Sequence, residues 1–102
     1  MKYEIKQSFA LTEIRLSGRM CFDDHDLFRG VLDAIEGNSG HRIILDLTEL
    51  SAIDSAGLGM LIIAGDHAAK KGLAFDIRNP AGLVKKLMEL ACLSKHMSVT
   101  FT

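Results

Sequence analysis

The stretch Leu45-Asp-Leu-Thr-Glu-Leu-Ser-Ala-Ile-Asp-Ser-Ala-Gly-Leu-Gly59 decides the fold of this chain. Its first half is typical of a buried strand, and the residues from Asp54 onward are typical of the first turn of a helix. Asp and Ser are preferred at this place because their side-chain oxygens accept hydrogen bonds from backbone N–H groups that lack a partner in the helix. We therefore expect Asp54 and Ser55 to lie at a short strand-to-helix turn that the rest of the chain presents.

The composition is that of one ordinary globular domain. The chain has 102 residues, of which 48% are hydrophobic and 25% are charged, so we interpret 1–102 as a single domain. The formal net charge is −1, with 12 basic and 13 acidic residues, and this balance gives no support to nucleic acid or anionic membrane surfaces as partners, since both favour clustered Lys and Arg. The apolar runs are far shorter than the roughly 20 residues of a membrane span. Because the N-terminus also lacks a signal-peptide core, we expect a cytoplasmic protein.

The cysteines and histidines do not predict a metal site. Cys21 and Cys92 lie far apart among apolar residues, which predicts two buried free thiols in a cytosolic protein. The four histidines are scattered, and none pairs with Cys, Asp or Glu at a spacing typical of metal ligands. We therefore expect neither a metal nor a cofactor.

Outside the central stretch, hydrophobic periodicity predicts the order β-β-α-β-α-β-α-β. Strands are predicted over 3–7, 9–17 (ended by Ser17-Gly18), 41–47, 73–77 and 97–101. Helices are predicted over 24–36, with Asp23 or Asp24 as its cap, over 56–71, and from Pro80 onward. The run Gly37-Asn-Ser-Gly40 is typical of a loop. Strands that alternate with helices predict an α/β fold with a mixed sheet, parallel in its centre, and helices packed on it.

The helix over 56–71 is unusually apolar. One face, with Leu58, Leu61, Ile62, Gly65 and Ala69, would pack on the sheet, and Met60, Ile63, Ala64 and His67 cluster on the opposite side. That second face is either tolerated surface, or covered by the neighbouring helix, or a partner-docking patch beside Ser55.

Two glycines, Gly57 and Gly59, occupy the start of this helix. Each lowers helix propensity by roughly 1 kcal/mol relative to Ala. They also leave this end of the helix bare, so that the backbone of another protein can approach closely.

Motifs for catalysis are incomplete. Gly57-Leu-Gly59 does not complete a dinucleotide fingerprint, because Ile62 stands at the third glycine position, and a P-loop Gly-Lys-Ser/Thr is absent. Ser55 lacks the Gly-x-Ser-x-Gly pattern and a base of identifiable position. We therefore expect no catalytic residue and a protein that is not an enzyme; a hydrolase that uses Ser55 is the alternative.

The chemistry of Ser55 also fits a modification site. The alternative is that Asp54 or Ser55 serves only to cap the helix, but a capping role does not exclude modification of Ser55. A phosphoserine would add about −1.5 to −2 charges at a helix N-terminus, where the N–H groups and the helix dipole favour an anion. Phosphorylation would then leave the domain folded and place a charge beside Met60 and Ile63, which opposes docking there.

Three runs carry a family likeness. Ile44-Leu-Asp-Leu, then Ile53-Asp-Ser-Ala-Gly-Leu-Gly59, then the apolar helix that ends at Lys71-Gly72 resemble the STAS domain, and most of all the stand-alone bacterial anti-sigma factor antagonists. The likeness covers nearly the whole chain. It implies a small mixed sheet with helices, a partner that is both a serine kinase and an anti-sigma factor, and a metal-dependent serine phosphatase.

Carried over by position, the resemblance implies that Ser55 is the phosphorylation site. The partner-binding residues that we expect are Asp23, Asp54, Ala56, Gly57, Leu58, Gly59, Met60 and Ile63. The chain departs from the family at Ala56, where many members have Ser or Thr, and at Cys21, where many have an acidic residue that Asp23 would replace. The alternative function is a STAS subunit that is not phosphorylated, or a ligand-sensing module, in a larger complex such as a lipid transporter.

Overall fold

A five-stranded sheet with the strand order β1-β2-β3-β4-β5 forms the centre of the computed structural model. The strands are β1 (Lys2–Gln7), β2 (Leu11–Met20), β3 (Arg42–Ile53), β4 (Ala74–Arg78) and β5 (Ser98–Thr100). β1 is antiparallel to β2, and β2, β3, β4 and β5 are parallel to their neighbours. The predicted mixed sheet with a parallel centre is therefore confirmed.

Each parallel crossover contains a helix. The helices are α1 (His25–Glu36), α2 (Ser55–Lys70) and α3 (Gly82–Leu90), and short 3-10 turns lie at Phe22–Asp24 and Leu93–Lys95. The predicted element order is confirmed, and Pro80 precedes α3 by two residues. The structure describes residues 1–37, 42–95 and 97–101, so most of the predicted loop after Gly37 and the predicted strand start at His41 lie outside the described residues.

The strands β2 and β3 are longer than the sequence indicated. β2 continues past Ser17-Gly18 to Met20, and β3 continues past Leu47 to Ile53. Their pairing persists because two register shifts, between Arg15 and Ser17 and between Gly18 and Arg19, absorb extra residues in β3. Consequently β3 leads directly into Asp54, and the separate turn that we expected between strand and helix is absent from this described segment.

The core lies on one face of the sheet, beneath the helices. Ile14, Leu45 and Ile77 are adjacent across β2, β3 and β4, and all three are buried. β3 is buried at every position from Ile43 to Leu47: Ile43, Leu45 and Leu47 belong to the core, and Ile44 and Asp46, which alternate with them, are also buried.

The structure decides among the three interpretations of the second apolar face of α2, in favour of cover by the neighbouring helix α1. Met60, Ala64 and Ala68 are buried together with Leu61, and Met60 retains only 5% of its accessible surface. α1 packs against α2, and His67 Nδ1 lies 2.6 Å from Glu36 Oε1 at the end of α1. The second apolar face of α2 is thus mostly internal, as a helix beside both a sheet and another helix requires. Of the four residues predicted on that face, Ile63 remains exposed, at 47%.

The cysteines are free, as predicted, but they are not both buried. Cys21 is half-buried between β2 and the first 3-10 turn, and Cys92 is exposed. Cys92 follows α3 in a left-handed conformation with a φ of 55°, on a turn that the sheet does not cover.

Candidate functional site

Asp54 forms the cap of α2. Its backbone is extended, and its side-chain Oδ1 accepts a hydrogen bond from the Gly57 N–H at 2.7 Å. This is the geometry of an N-cap residue, whose oxygen satisfies one of the N–H groups that the first helical turn leaves unpaired. Of the two residues that could have capped the helix, Asp54 therefore does so.

The second carboxylate oxygen of Asp54 reaches a different element. Oδ2 accepts a hydrogen bond from the Phe22 N–H at 3.2 Å, and the Asp54 N–H donates to the Met20 carbonyl, also at 3.2 Å. Asp54 thus joins the start of α2 to the end of β2 and to the 3-10 turn Phe22–Asp24. The predicted site residue Asp23 lies in that turn, so Asp23 and the start of α2 are brought together.

Ser55 is the first residue of α2 and is exposed. Because the Asp54 carboxylate makes the cap, the Ser55 hydroxyl is not required for it. A group attached to this oxygen would project from the N-terminal end of the helix, where backbone N–H groups and the helix dipole favour negative charge. Ser55 is therefore placed where a phosphate could be accommodated without disturbing the core.

The glycines of α2 differ in what surrounds them. A Cβ at Gly57 would lie 2.6 Å from Ile53 Cγ1 and 3.0 Å from the Met20 carbonyl oxygen, so no side chain fits between the helix and the strand ends. A Cβ at Gly59 would meet no atom within 4 Å among the described residues. Gly57 is needed for packing inside the domain, whereas packing gives no reason for Gly59.

The remaining predicted site residues divide by exposure. Asp23 and Ile63 are exposed, Ala56 and Leu58 are half-buried, and Met60 belongs to the core. Met60 therefore cannot form part of the partner-facing surface as expected, because it already packs within the domain. The exposed part of the predicted set consists of a rim at the N-terminal end of α2 and of Ile63 two turns along the helix.

The two aspartates of the 3-10 turn have different roles. Asp24 Oδ2 accepts a hydrogen bond from the Cys21 N–H at 2.9 Å, and this bond lowers the pKa of Asp24 more than its partial burial raises it. The Asp24 carboxylate therefore fixes the turn that precedes α1 instead of capping α1 through a bond to its free N–H groups, as we expected. Asp23, the next residue before it in the turn, is exposed.

Sequence reasoning missed Phe22. Phe22 is 69% exposed, although hydrogen bonds between Cys21 and Asp24 hold the turn in which it lies. The available signal was an aromatic residue placed outside the apolar stripe of α1 and immediately before two aspartates.

Within residues 1–37, 42–95 and 97–101, no three His, Cys, Asp or Glu side chains come together in a way that could hold a metal ion. Across the same described ranges, no helix combines the length and the apolar character needed to cross a membrane.

Comparison with known proteins agrees with this geometry. The family model described as "Mlab, STAS domain" matches residues 4–99. A STAS-domain containing protein of Pseudomonas aeruginosa is 28% identical over 78 residues, which cover 76% of each chain.

Two solved structures share the fold. A candidate anti-sigma factor antagonist of Thermotoga maritima superposes with a TM-score of 0.85 at 19% identity, covering 98% of this chain and 86% of the other. The anti-sigma factor antagonist SpoIIAA in its unphosphorylated form superposes with a TM-score of 0.76 at 21% identity, covering 97% and 88% of the two chains. At these identities the superpositions show a common fold.

Proposed function

This chain belongs to the STAS domain family, and on that premise we propose that it is an anti-sigma factor antagonist switched by phosphorylation. The unphosphorylated form binds a serine kinase that also acts as an anti-sigma factor, and phosphorylation at Ser55 releases that partner. One observation carries the proposal: Ser55 is exposed at the first position of α2 while Asp54 alone makes the cap.

The proposed switch is electrostatic. A phosphate on Ser55 would bring about −1.5 to −2 charges next to the Asp54 carboxylate, on a surface where Asp23 is also exposed. The backbone N–H groups of the first helical turn tolerate an anion, so the fold is retained. A partner that had approached Ser55 closely would have to desolvate this charge, which favours dissociation.

The surface that we assign to the kinase surrounds Ser55. It comprises Asp23 on the 3-10 turn, Asp54 and Ala56 at the start of α2, and Leu58, Gly59 and Ile63 farther along the helix. The space at Gly59 supports this assignment, because Gly lowers helix stability by about 1 kcal/mol relative to Ala without relieving a contact inside the described residues. Gly57 contributes indirectly, by allowing α2 to begin close to β2 and β3.

A metal-dependent serine phosphatase would complete the cycle. The exposed position of Ser55 supports this step, because a phosphatase has to reach the phosphorus from solvent. The ATP that the kinase consumes places the cycle in the cytoplasm.

The proposal is tested with the serine kinases of the source organism and ATP. Intact mass should increase by one phosphate in the wild type and stay unchanged in Ser55→Ala. Ser51→Ala is the matched control, because Ser51 is also exposed but its hydroxyl donates to the Gly18 carbonyl at 2.9 Å. A wild-type protein that none of these kinases modifies, or one modified equally in Ser55→Ala, would contradict the proposal.

A second function is favoured by the description of the matching family model, which names Mlab and not an antagonist. In that case the chain is a STAS subunit of a larger complex, such as a lipid transporter, and Ser55 is never phosphorylated. Affinity purification of Ser55→Ala and Ser55→Asp distinguishes the two functions. A switch predicts a serine kinase that is retained by Ser55→Ala and lost with Ser55→Asp, whereas a structural subunit keeps the same complex with both variants.

We infer that Ser55 is not a catalytic nucleophile. The Asp54 carboxylate, its immediate neighbour, is engaged by the Gly57 and Phe22 N–H groups and so is occupied by capping. A fluorophosphonate probe should therefore leave Ser55 unlabelled, and stoichiometric labelling would establish the hydrolase alternative instead.

A further inference from the structure

We propose that Phe22 is the aromatic anchor of the docking surface, and that it inserts into an apolar pocket of the kinase whose rim carries Lys or Arg. This inference rests on the proposed function and adds to it a residue outside α2.

Phe22 is held beside the switch by its backbone. Its N–H donates to Asp54 Oδ2 at 3.2 Å, and Asp54 immediately precedes Ser55. The turn itself is closed by two hydrogen bonds between the residues that flank Phe22 and Asp23: the Cys21 N–H donates to Asp24 Oδ2 at 2.9 Å, and the Asp24 N–H donates to the Cys21 carbonyl at 2.9 Å. A turn whose backbone is fixed in this way loses little backbone freedom on binding, which favours affinity.

The ring of Phe22 is turned away from the core. It is 69% exposed, whereas Phe28, the next phenylalanine along the chain, is buried under the helices. A phenylalanine on a surface offers a partner a large apolar area, and such aromatic residues often contribute most of the binding energy at the centre of an interface.

The charges around Phe22 determine the kind of partner. Asp23 follows it directly, Asp26 is exposed at the start of α1, and Asp54 lies next to its backbone. An apolar residue within an acidic surface is complemented by an apolar pocket with a basic rim. Attraction to a basic rim would favour a phosphate on Ser55, so release depends on the larger cost of desolvating that phosphate where the partner packs closely against Ser55.

The chain offers a matched control. Phe9 is 100% exposed in the turn between β1 and β2, at the opposite end of β2 from Phe22. A ten-residue strand spans roughly 30 Å, so Phe9 lies far from Ser55. Replacing either residue removes an exposed ring and leaves the core intact, but only Phe22 adjoins the switch.

The test uses the kinase that modifies Ser55 in the assay above, purified and without ATP. Dissociation constants are measured for the wild type, Phe22→Ala, Phe22→Leu and Phe9→Ala, and the thermal unfolding of each variant is recorded. We expect Phe22→Ala to weaken binding about tenfold or more, Phe22→Leu to retain most of the affinity, and Phe9→Ala to stay within about twofold.

Two different results would contradict the role of Phe22 and the proposed function, respectively. A kinase that phosphorylates the wild type at Ser55 but binds Phe22→Ala as tightly as the wild type, or is weakened equally by Phe9→Ala, overturns the role of Phe22 alone. If Ser55 is not phosphorylated by any serine kinase of the organism, the proposed function fails, and the anchor fails with it.

Discussion

The Asp54 carboxylate lies 3.2 Å from the backbone nitrogen of Phe22, across 32 positions of sequence. This contact joins the two segments that surround Ser55, because Asp54 also caps α2 and Phe22 begins the turn that leads into α1. The Asp54 side chain, which is not itself modified, therefore helps to hold the turn beside the start of α2.

Replacing Asp54 should destabilise the domain measurably. Asp54→Ala removes the cap on Gly57 and the acceptor for Phe22, and loss of an N-cap side chain costs about 1 kcal/mol, up to about 2. Asp54→Asn keeps one side-chain oxygen for the cap, so it should retain most of that stability. Urea denaturation of the three proteins measures the difference, and equal midpoints for wild type and Asp54→Ala would show that the cap contributes nothing.

Gly57 and Gly59, near the start of α2, should respond in opposite directions to substitution by alanine. Gly57→Ala places a Cβ 2.6 Å from Ile53 and 3.0 Å from the Met20 carbonyl, and overpacking of this kind costs about 1–3 kcal/mol. Gly59→Ala enters open space, so it should stabilise the domain by about 1 kcal/mol through helix propensity. Thermal unfolding of both variants checks the pair.

Measuring kinase binding distinguishes the effect of Gly59→Ala on stability from its effect on the space that is open to a partner. If a partner backbone approaches Gly59, the more stable Gly59→Ala should bind the kinase less tightly than the wild type. An unchanged dissociation constant would mean that Gly59 provides no clearance for the partner.

The parts of the fold that depend on local pattern could be predicted from the sequence. Alternating and three-four periodicities, together with the continuous apolar run of the central strand, predicted the five strands and three helices that the structure contains among its described residues. The ends of β2 and β3 could not be predicted from the sequence, because the register shifts near Ser17 and Gly18 depend on pairing between distant segments. Gly18 has a φ of 81° within the strand, and in a sequence such a glycine is easily mistaken for a turn.

The start of α2 was predicted in position, but the packing around it was not. The helix start at Asp54-Ser55 has a strong local signature, so its place was accessible from sequence. Whether Met60 is buried or exposed depends on how α1 packs against α2. The periodicity of one helix does not predict the packing between two. Phe22 was missed for the same reason: its proximity to Ser55 exists only through the Asp54 contact.

The ion pair between Asp76 and Arg42 should make stability depend on acid pH. Burial raises the pKa of Asp76, but hydrogen bonds from Arg42 and Ser98 outweigh it, so the pKa lies below its ordinary value. Because the pKa of Asp76 is lowered in the folded state, its ionised carboxylate stabilises the fold at any pH above the ordinary aspartate pKa. This stabilisation is lost as the pH falls through the lower pKa of the folded state. Asp76→Asn should therefore lower the free energy of unfolding by about 1.5–3 kcal/mol at neutral pH.

The pH dependence of the stability difference shows whether Asp76→Asn acts by removing the ion pair or by disturbing the packing. Measured by urea denaturation, the difference between wild type and Asp76→Asn should shrink as pH falls below about 4, because the wild-type carboxyl then becomes neutral as well. A difference that is constant from neutral to acid pH would indicate that the ion pair is not its cause.

Ser55→Asp should abolish kinase binding while leaving the domain folded. An acidic side chain in the first turn of a helix gains roughly 0.3–1 kcal/mol from the helix dipole, and repulsion from the neighbouring Asp54 offsets part of that gain. We therefore expect the unfolding midpoint of Ser55→Asp to stay close to that of Ser55→Ala. Calorimetric titration with the kinase should detect binding with Ser55→Ala and none with Ser55→Asp. A variant that lost both binding and a cooperative unfolding transition would show that charge at this position acts by unfolding α2, which would refute a surface switch.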